Sequence, residues 1–402
     1  MWAQSSCQFF RKVPVVAVLA KCSVNIPECR RSLVNIAVAN MMVCTWKFRS
    51  LFCLTNFEVS IRGRSCSMPQ LLQWARLGHQ RKSCGRGVGL ALAQRLLSLE
   101  IYLTICLACR NVSKAEVAKE KLKVDFPAAV VDIVQLDTSS VSSVNRAAKE
   151  LQKRYSSIDY LYLNAGTMPS TSIDWSHLPW LLFHPSYIRD AVSTGEGLIQ
   201  MVDGDTEDGL KLIFATNLYG HFHLVKKLEN ILCSSRSQIV WTSSSNARKK
   251  HFNLNDLQHK NGAQPYSSSK YAINLLSIAV NEKLGDRGVR SHVISPGFSV
   301  TAMTTPLLSD LLWTLLYPIF ILLRLIAPTM CVTPWNSAEA LVWFYVSDGK
   351  YINPEKLHTS CTSVFGKNYI MPEKIEFSPD EPSQLYQELE ALQARLEKEI
   401  IE

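Results

Sequence analysis

Tyr266 and Lys270 lie four residues apart in the stretch YSSSK. On a helix, positions i and i+4 share one face, so the phenol and the ammonium can approach a single site. A phenol with an ordinary pKa of about 10 is a poor acid or base at neutral pH, and an adjacent ammonium favours the phenolate. The pair therefore predicts an acid–base tyrosine whose pKa is lowered by its lysine.

Small or hydroxyl-bearing residues follow three predicted strands, and a parallel sheet gathers such residues at one edge. Serines after the first strand offer hydroxyls to a substrate carbonyl. A small-residue turn after the second lets the backbone approach a flat cofactor closely. Beyond the third, a threonine is a suitable hydroxyl for a pyrophosphate or a carboxamide. The three groups are Ser243, Ser244 and Ser245; Asn164, Ala165 and Gly166; and Pro296, Gly297 and Thr301.

A glycine turn precedes all of these residues in the chain. Gly87-Val88-Gly89 opens a helix predicted over Gly87–Leu99. A turn of this kind binds a nucleotide pyrophosphate at the helix N-terminus, and it normally hangs from the end of a buried strand.

The elements that must position these groups alternate between strand and helix. This alternation predicts a Rossmann-like, doubly wound parallel α/β sheet with its ligands along one edge. The predicted strands are Tyr102–Cys109, Val130–Leu136, Tyr160–Leu163, Gln238–Thr242 and Arg290–Ile294. The predicted helices are Gly87–Leu99, Ser113–Phe126, Val141–Tyr155, Gly209–Leu232 and Tyr266–Leu284.

In order and type, these residues resemble the short-chain dehydrogenase/reductase family, and in particular its steroid-reducing members. The similarity runs from about Gly87 to the last residues. Stretches that carry it include LACRNVSKAE, YLNAGTMP, WTSSSNARK and PYSSSKYA. The resemblance implies NADPH-dependent reduction of a keto group on a sterol or steroid. It also implies location on the endoplasmic reticulum membrane. Many members of the family form homo-oligomers, so a homo-oligomer is also expected.

The resemblance also implies a role for each matching residue. Tyr266 would be the general acid that protonates the ketone oxygen, and Lys270 would lower its pKa and hold the ribose hydroxyls. Ser244 matches the carbonyl-binding position best, with Ser243 as the alternate. Asn217 would support the active-site helix and a proton-relay water. Gly85, Gly87 and Gly89 would contact the cofactor pyrophosphate.

The cofactor preference depends on the residue after the strand Tyr102–Cys109. Arg110 stands there, and an arginine accommodates a 2′-phosphate where an acid would bind a free 2′-hydroxyl. This favours NADPH. Asp137, after the next strand, resembles the adenine-contacting residue, although a turn or helix-cap role before Ser139 is nearly as well supported.

The chain departs from the family pattern before Gly87. Lys82 and Ser83 stand where a threonine and the first glycine are expected, and no apolar strand precedes them. The substitutes are Phe57–Ile61 and the stretch Val13 to Ala20, which lies about sixty residues too early. The first strand is therefore predicted to be absent or replaced. The alternative hypothesis is a cofactor-impaired isoform that acts as a membrane-associated interaction protein.

Charge and cysteine content divide the chain in the same place. Residues 1–86 hold 13 Lys and Arg but only Glu28 and Glu58 as acids, whereas the remainder holds 30 basic and 32 acidic residues. The near-neutral body gives no case for nucleic-acid binding, and scattered cysteines suit a reducing compartment. We predict a poorly packed segment 1–86, a catalytic domain 87–305 and a membrane-associated, helical extension 306–402, with no metal site.

The extension begins with an apolar stretch near 307–327. Its centre, Leu311 to Leu323, carries no charge and is flanked by Asp310 and Arg324. Three interpretations stay open: an in-plane or embedded membrane helix, a membrane span, or an apolar lid over a lipid-like substrate. The tail from Pro382 predicts an amphipathic helix that packs on the body through Leu385, Leu389, Leu392 and Leu396.

Overall fold

The structure is a computed structural model that describes residues 14–18, 87–168, 170–173, 176, 184, 199–301, 310–347 and 352–401. By internal contacts the chain divides into two units, one formed by 1–23 with 85–402 and one by 24–84. The second unit lies outside the described residues.

The described elements follow one another in the predicted alternation, which continues past residue 305. The strands are β1 Pro14–Val18, β2 Thr104–Cys109, β3 Val130–Gln135, β4 Tyr160–Leu163, β5 Ser170–Ile173, β6 Ile199–Met201, β7 Gln238–Thr242, β8 Arg290–Ser295, β9 Phe298–Ser299, β10 Met330–Val332, β11 Lys356–Thr362 and β12 Asn368–Lys374. The helices are α1 Val88–Leu99, α2 Val112–Asp125, α3 Val141–Arg154, α4 Gly220–Ser235, α5 Pro265–Leu284, α6 Asp310–Leu323, α7 Pro334–Ser337, α8 Glu339–Val346 and α9 Glu381–Ile401. Leu212–Phe214 and a π-helical turn, Ala215–Tyr219, lead into α4.

Eight of the described strands form one sheet in the order β12-β11-β8-β7-β4-β1-β2-β3. All its neighbours pair in parallel except β11 and β12, which form an antiparallel edge. The predicted Rossmann-like parallel sheet is therefore confirmed. Parallel sheets bury both faces, and here helices cover each one.

The central position of the sheet is occupied by β1. Its residues Pro14–Val18 pair with Thr104–Ala108 on one side, and Val15–Val18 pair with Tyr160–Leu163 on the other. The first strand is thus replaced by part of the apolar stretch Val13 to Ala20, although this stretch lies far from Gly87 in the sequence. β1 lies inside the segment 1–86, and most of that segment lies outside the described residues.

Two apolar cores lie on opposite faces of the sheet. Leu161 and Leu163 of β4 belong to the core under α3, α4, α5 and α9, whereas Tyr162 between them belongs to the core under α1, α2 and α8. This alternation follows from the two-residue period of a strand. The sheet edge between the two layers is where the predicted site residues gather.

An ion pair ties α1 to the C-terminal part of the fold. Arg95 is buried and lies 2.7 Å from the Glu339 carboxylate, and its guanidinium also donates to Trp335 O at 3.1 Å. The arginine end of this pair is shielded from solvent, whereas the glutamate remains partly exposed. The helix that follows the glycine turn is therefore anchored at its far end.

The C-terminal helix α9 packs on α4 and α5 as predicted. Its leucines at 385, 389, 392 and 396 are all buried, and the Tyr386 ring meets Phe222 edge-on at 5.5 Å. Lys226 of α4 reaches Glu390 at 3.0 Å. The tail is an integral layer of the body.

The apolar stretch near 307–327 forms α6, which is 14 residues long. Arg324 after its end is buried and donates to Met330 O and Cys331 O, so it is bound to β10. Trp313 packs inward against Phe298 and Phe320. Within the described part of the chain, no helix has the length and apolar character needed to cross a membrane.

Candidate active site

Helix α5 carries the predicted catalytic pair at its N-terminal end. Pro265 occupies the first turn, where its missing N–H costs nothing. The Lys270 Nζ lies 5.6 Å from the centre of the Tyr266 ring. The structure therefore brings the two side chains to one site, as their spacing predicts.

Lys270 is held in a dry environment by the end of the neighbouring strand β7. The side chain is buried, and its ammonium donates to Thr242 O at 2.9 Å. Loss of solvation disfavours the charged form and lowers the pKa of Lys270 to about 7. Lys270 therefore titrates close to neutral pH.

The pKa of Tyr266 moves in the opposite direction to the one predicted from the sequence. Burial raises the pKa of the Tyr266 phenol, and its interaction with the Ser244 hydroxyl lowers it by a smaller amount. The Lys270 Nζ lies 5.6 Å from the ring centre, and burial remains the larger effect. A raised pKa keeps the phenol protonated, which is the state that a proton donor needs.

The structure separates the two candidate serines. Ser243 is buried and donates to Lys270 O at 3.1 Å, while its own N–H binds Ile294 O. Ser244 is half-buried, its Oγ accepts from Asn246 N at 3.1 Å, and its hydroxyl acts on the pKa of the Tyr266 phenol. Ser244 is thus the hydroxyl placed beside the acid, and Ser243 anchors the loop to α5 and β8.

Asn217 lies in the π-helical turn that precedes α4. Its Oδ1 accepts from Thr167 N at 2.7 Å, and its Nδ2 donates to Thr167 O at 3.0 Å and to Ser269 Oγ at 3.1 Å. π-turns of this kind occur frequently at functional sites. Asn217 therefore ties the Asn164-Ala165-Gly166 turn to α5, which agrees with its expected supporting role.

The small-residue turn after β4 passes directly over these groups. A Cβ added to Gly166 would lie 3.3 Å from Asn217 Oδ1 and 3.4 Å from Lys270 Nζ. Asn164 Oδ1 accepts from Thr242 Oγ1 at 3.3 Å, and Ala165 O is bound by the His221 ring. Position 166 therefore has little room for a side chain, and its bare backbone lies directly against Asn217 and Lys270.

Arg110 and Asp137 meet at the carboxyl ends of β2 and β3. Arg110 Nε lies 3.5 Å from Asp137 Oδ2, and the arginine side chain is 44% exposed. The other carboxylate oxygen of Asp137 accepts from Ser139 N and Ser139 Oγ. Asp137 therefore fills the turn role, and at the same time it orients the arginine that is expected to bind a ribose phosphate.

The glycine turn is described from Gly87 onward. Gly87 is the N-cap of α1, and its surroundings hold no heavy atom within 4 Å of an added Cβ. Gly89 is buried in the first turn of the helix. Gly85, the other predicted cofactor residue of this turn, lies outside the described residues.

The Pro296-Gly297 turn after β8, which was predicted to contact the cofactor, packs closely against the C-terminal part of the chain. Gly297 has a φ of +64°, and an added Cβ would lie 2.3 Å from Thr329 O. Only glycine fits this position, because L side chains disfavour that backbone and the space is filled. Thr301 lies at the end of the described loop, half-buried.

Three groups that the sequence analysis did not assign also belong to the site. Thr242 supplies the carbonyl that holds Lys270, Thr167 is clamped by Asn217, and His221 binds Ala165 O. A signal for His221 was present in the sequence, since it stands four residues after Asn217.

The buried lysine makes the stability of the chain depend on pH. The Lys270 pKa is about 7 in the folded chain and about 10.4 when unfolded, so between these values the unfolded state binds more protons. The free energy of unfolding therefore rises with pH over this window, by up to about 1.4 kcal/mol per unit. We expect Lys270→Met to remove this rise in urea titrations between pH 7 and 10, and Lys283→Met, at an exposed lysine of the same helix, to retain it. Equal slopes in all three chains would contradict the assignment.

Comparisons with known proteins agree with this arrangement. A short chain dehydrogenase family model matches residues 83–179 and 193–311, more than half of the chain. The chain is 45% identical over 312 residues to human 3-keto-steroid reductase/17-beta-hydroxysteroid dehydrogenase 7, covering 77% of this chain and 91% of that protein. It is 43% identical to the rat protein of the same name, with 78% and 93% covered. A 3-keto-steroid reductase of Schizosaccharomyces pombe is 31% identical, with 64% and 78% covered.

Proposed function

The chain belongs to the short-chain dehydrogenase family, and from this premise we propose that it reduces a keto group of a sterol or steroid with NADPH. The observation that carries the proposal is the placement of the Tyr266 ring against the buried Lys270, whose Nζ lies 5.6 Å from the ring centre. The substrate class is supported by the names of the relatives, which are steroid reductases across animals and yeast.

The residues of the chain divide the work of proton delivery. Ser244 is placed to hydrogen-bond the substrate carbonyl, because its hydroxyl is half-exposed beside the phenol. Tyr266 then donates its proton to the ketone oxygen as the carbonyl carbon accepts hydride. Lys270 stabilises the phenolate that remains, at short range and in a dry environment where a charge acts strongly. Bound NADPH would supply the hydride.

Three features of the chain fit such a cofactor. Gly166 has little room for a side chain beside Lys270, which agrees with a turn whose bare backbone a flat cofactor ring would contact, and the Lys270 ammonium would bind a ribose hydroxyl. At Gly87, the N-cap of α1, an added Cβ would meet no heavy atom within 4 Å, and the backbone N–H groups of the first helical turn would bind a pyrophosphate. Arg110 is half-exposed at the carboxyl end of β2, where it would bind a 2′-phosphate.

Arg110 gives the most direct prediction of cofactor preference. We expect Arg110→Ala to raise the Kd for NADPH roughly 10- to 100-fold and to leave that for NADH within about twofold, because a charge-assisted bond to phosphate contributes about 1.5–3 kcal/mol. The measurement is quenching of protein fluorescence by each nucleotide. Arg154→Ala is the matched control, since Arg154 is 42% exposed and also ion-paired, to Glu150 of its own helix. Parallel losses for both nucleotides would contradict a 2′-phosphate contact.

The proposed function itself is tested by turnover. The purified full-length chain is incubated with NADPH and a 3-keto-sterol or estrone in detergent, and the alcohol is identified by mass spectrometry. Formation of a hydroxysterol with matching NADPH consumption supports the proposal. A chain that fails to bind NADPH even at about millimolar concentration would favour the alternative function, a membrane-associated interaction protein.

We propose that the chain associates with the endoplasmic reticulum membrane, and helix α6 supports association with a lipid surface. Leu311, Leu315 and Leu322 are 70%, 66% and 61% exposed, and their spacing sets them on one face. The opposite face holds Trp313 against Phe298. An exposed apolar helix face with its other side bound to the body is typical of an in-plane membrane helix. A lid over the substrate would instead turn its leucines inward.

This helix yields a prediction for lipid binding. We expect Leu311→Asp with Leu315→Asp to reduce flotation of the chain with phosphatidylcholine vesicles at least tenfold, since two apolar side chains leave the acyl region and two charges would enter it. Val117→Asp with Val124→Asp on α2, also exposed, is the control and should float normally. Subcellular fractionation of the same variants tests the location; equal flotation of both double variants would count against α6.

A further inference from the structure

His221 is buried at the start of α4, one helical turn after Asn217. Its Nε2 lies 2.8 Å from Ala165 O, the middle carbonyl of the Asn164-Ala165-Gly166 turn. The ring also meets the Trp241 indole edge-on at 6.5 Å, which limits its rotation. The position of the ring is therefore determined from both sides.

The contact defines the state of the imidazole. A carbonyl oxygen only accepts, so Nε2 must carry the hydrogen and donate it to Ala165. Burial lowers the pKa of His221 to about 4, and the neighbouring Lys270 acts in the same direction. His221 Nδ1 has no hydrogen-bond partner among the described residues. His221 is thus a neutral donor at physiological pH.

Each residue of the turn is fixed by a different element. Asn164 is bound by Thr242 of β7, and the following Thr167 is bound by Asn217. Between them, Gly166 lies against Asn217 and Lys270. His221 holds the carbonyl of Ala165, directly before that glycine.

We propose that His221 is a positioning residue for the cofactor surface: its Nε2–H holds the Ala165 carbonyl so that Gly166 stays close above Lys270. Without this bond the peptide between residues 165 and 166 loses the contact that sets its orientation, and Gly166 loses its fixed distance from Lys270. The inference rests on the proposed function, because the surface is the one expected to receive the nicotinamide half of NADPH.

A second histidine on the same helix provides a matched control. His223 is equally buried, its Nε2 lies 2.8 Å from Asn145 Oδ1, and its pKa is likewise lowered to about 4 by burial. Its partner belongs to α3 and not to the turn. Replacing either histidine removes one buried hydrogen bond, but only His221 touches the site.

The experiment compares His221→Phe, His221→Gln and His223→Phe in the full-length chain. Hydrogen exchange of peptides covering 162–168 is measured without nucleotide, and the Kd for NADPH is then measured by fluorescence. We expect His221→Phe to speed exchange at residues 165–168 at least tenfold and to raise the Kd about tenfold. His221→Gln keeps an N–H at the Nε2 position and should recover most of both effects. His223→Phe should show a similar loss of Tm with both readouts near the wild-type values.

Two results would overturn the proposal: unchanged exchange at residues 165–168 in His221→Phe, or equal loss of NADPH affinity in His223→Phe. A wild-type chain that does not bind NADPH would overturn the proposed function instead. In that case the exchange measurement still decides whether His221 holds the turn.

Discussion

Tyr266→Phe is expected to reduce kcat at least 1,000-fold while leaving NADPH binding and folding intact. General acid catalysis contributes about 10²- to 10⁴-fold, and the phenylalanine has no proton to donate to the ketone oxygen. The ring itself is kept, so its packing over Lys270 is preserved. The measurement is single-turnover reduction of a saturating keto-sterol, followed by loss of NADPH fluorescence.

Tyr271→Phe is the matched control for this result. Tyr271 lies on the same helix, but its hydroxyl donates to Glu376 O at 2.6 Å, on the side facing the C-terminal hairpin. Its loss should cost about 1 kcal/mol of stability and leave kcat within about twofold. If Tyr266→Phe retained more than a tenth of the wild-type rate, Tyr266 would not be the proton donor. If both variants lost activity equally, the effect would belong to the packing of α5.

The strands and helices over 102–163 and 238–295 were predictable because their signals are local. Strand β4 spans Tyr160–Leu163 as predicted, and α5 begins one residue before the predicted Tyr266. Apolar runs of four to six residues and helix-length segments alternate there without interruption. The β11–β12 hairpin was not predicted, since its outer strand is largely exposed and has no apolar run.

The site residues were predictable as a group, whereas their energetics were not. Spacing along one helix brings Tyr266 and Lys270 together, and the ends of parallel strands bring the serines to the same edge. The direction of the Tyr266 pKa depends on burial and on where the lysine ammonium points. Neither is encoded in the spacing of the motif.

The central strand could not be assigned from the sequence because a strand that carries a glycine turn normally ends directly before that turn. Helix α1 begins about 70 residues after β1 ends, and the family model begins to match only at residue 83. The entropic cost of closing a long connection grows slowly, about 0.6 kcal/mol for each doubling of length. A strand from far upstream can therefore fill the gap between β2 and β4 at a cost of only about 2 kcal/mol relative to a short connection.

Val16→Pro tests this placement and is expected to destabilise the body by more than about 3 kcal/mol. Val16 pairs with Cys106 of β2 and with Leu161 of β4. Strand β1 is therefore an interior strand of the sheet, and the Val16 N–H cannot point to an open sheet edge. Proline removes that N–H and is confined to edges and bulges for this reason. Urea unfolding followed by circular dichroism should show the midpoint falling, and NADPH binding should be lost with it.

Val59→Pro supplies the decisive comparison, because Phe57–Ile61 was the other candidate for the missing strand. If β1 holds the central position, proline at residue 59 should leave the free energy of unfolding within about 0.5 kcal/mol of the wild-type value, as most substitutions away from a core do. The reverse outcome, a stable Val16→Pro and an unfolded Val59→Pro, would assign the centre of the sheet to Phe57–Ile61. Stability of both variants would mean that the helices and the β2–β3 and β4–β7 pairs form the body without a central strand. The cofactor surface would then have no platform between Arg110 and Gly166, and the case for an active reductase would fall with it.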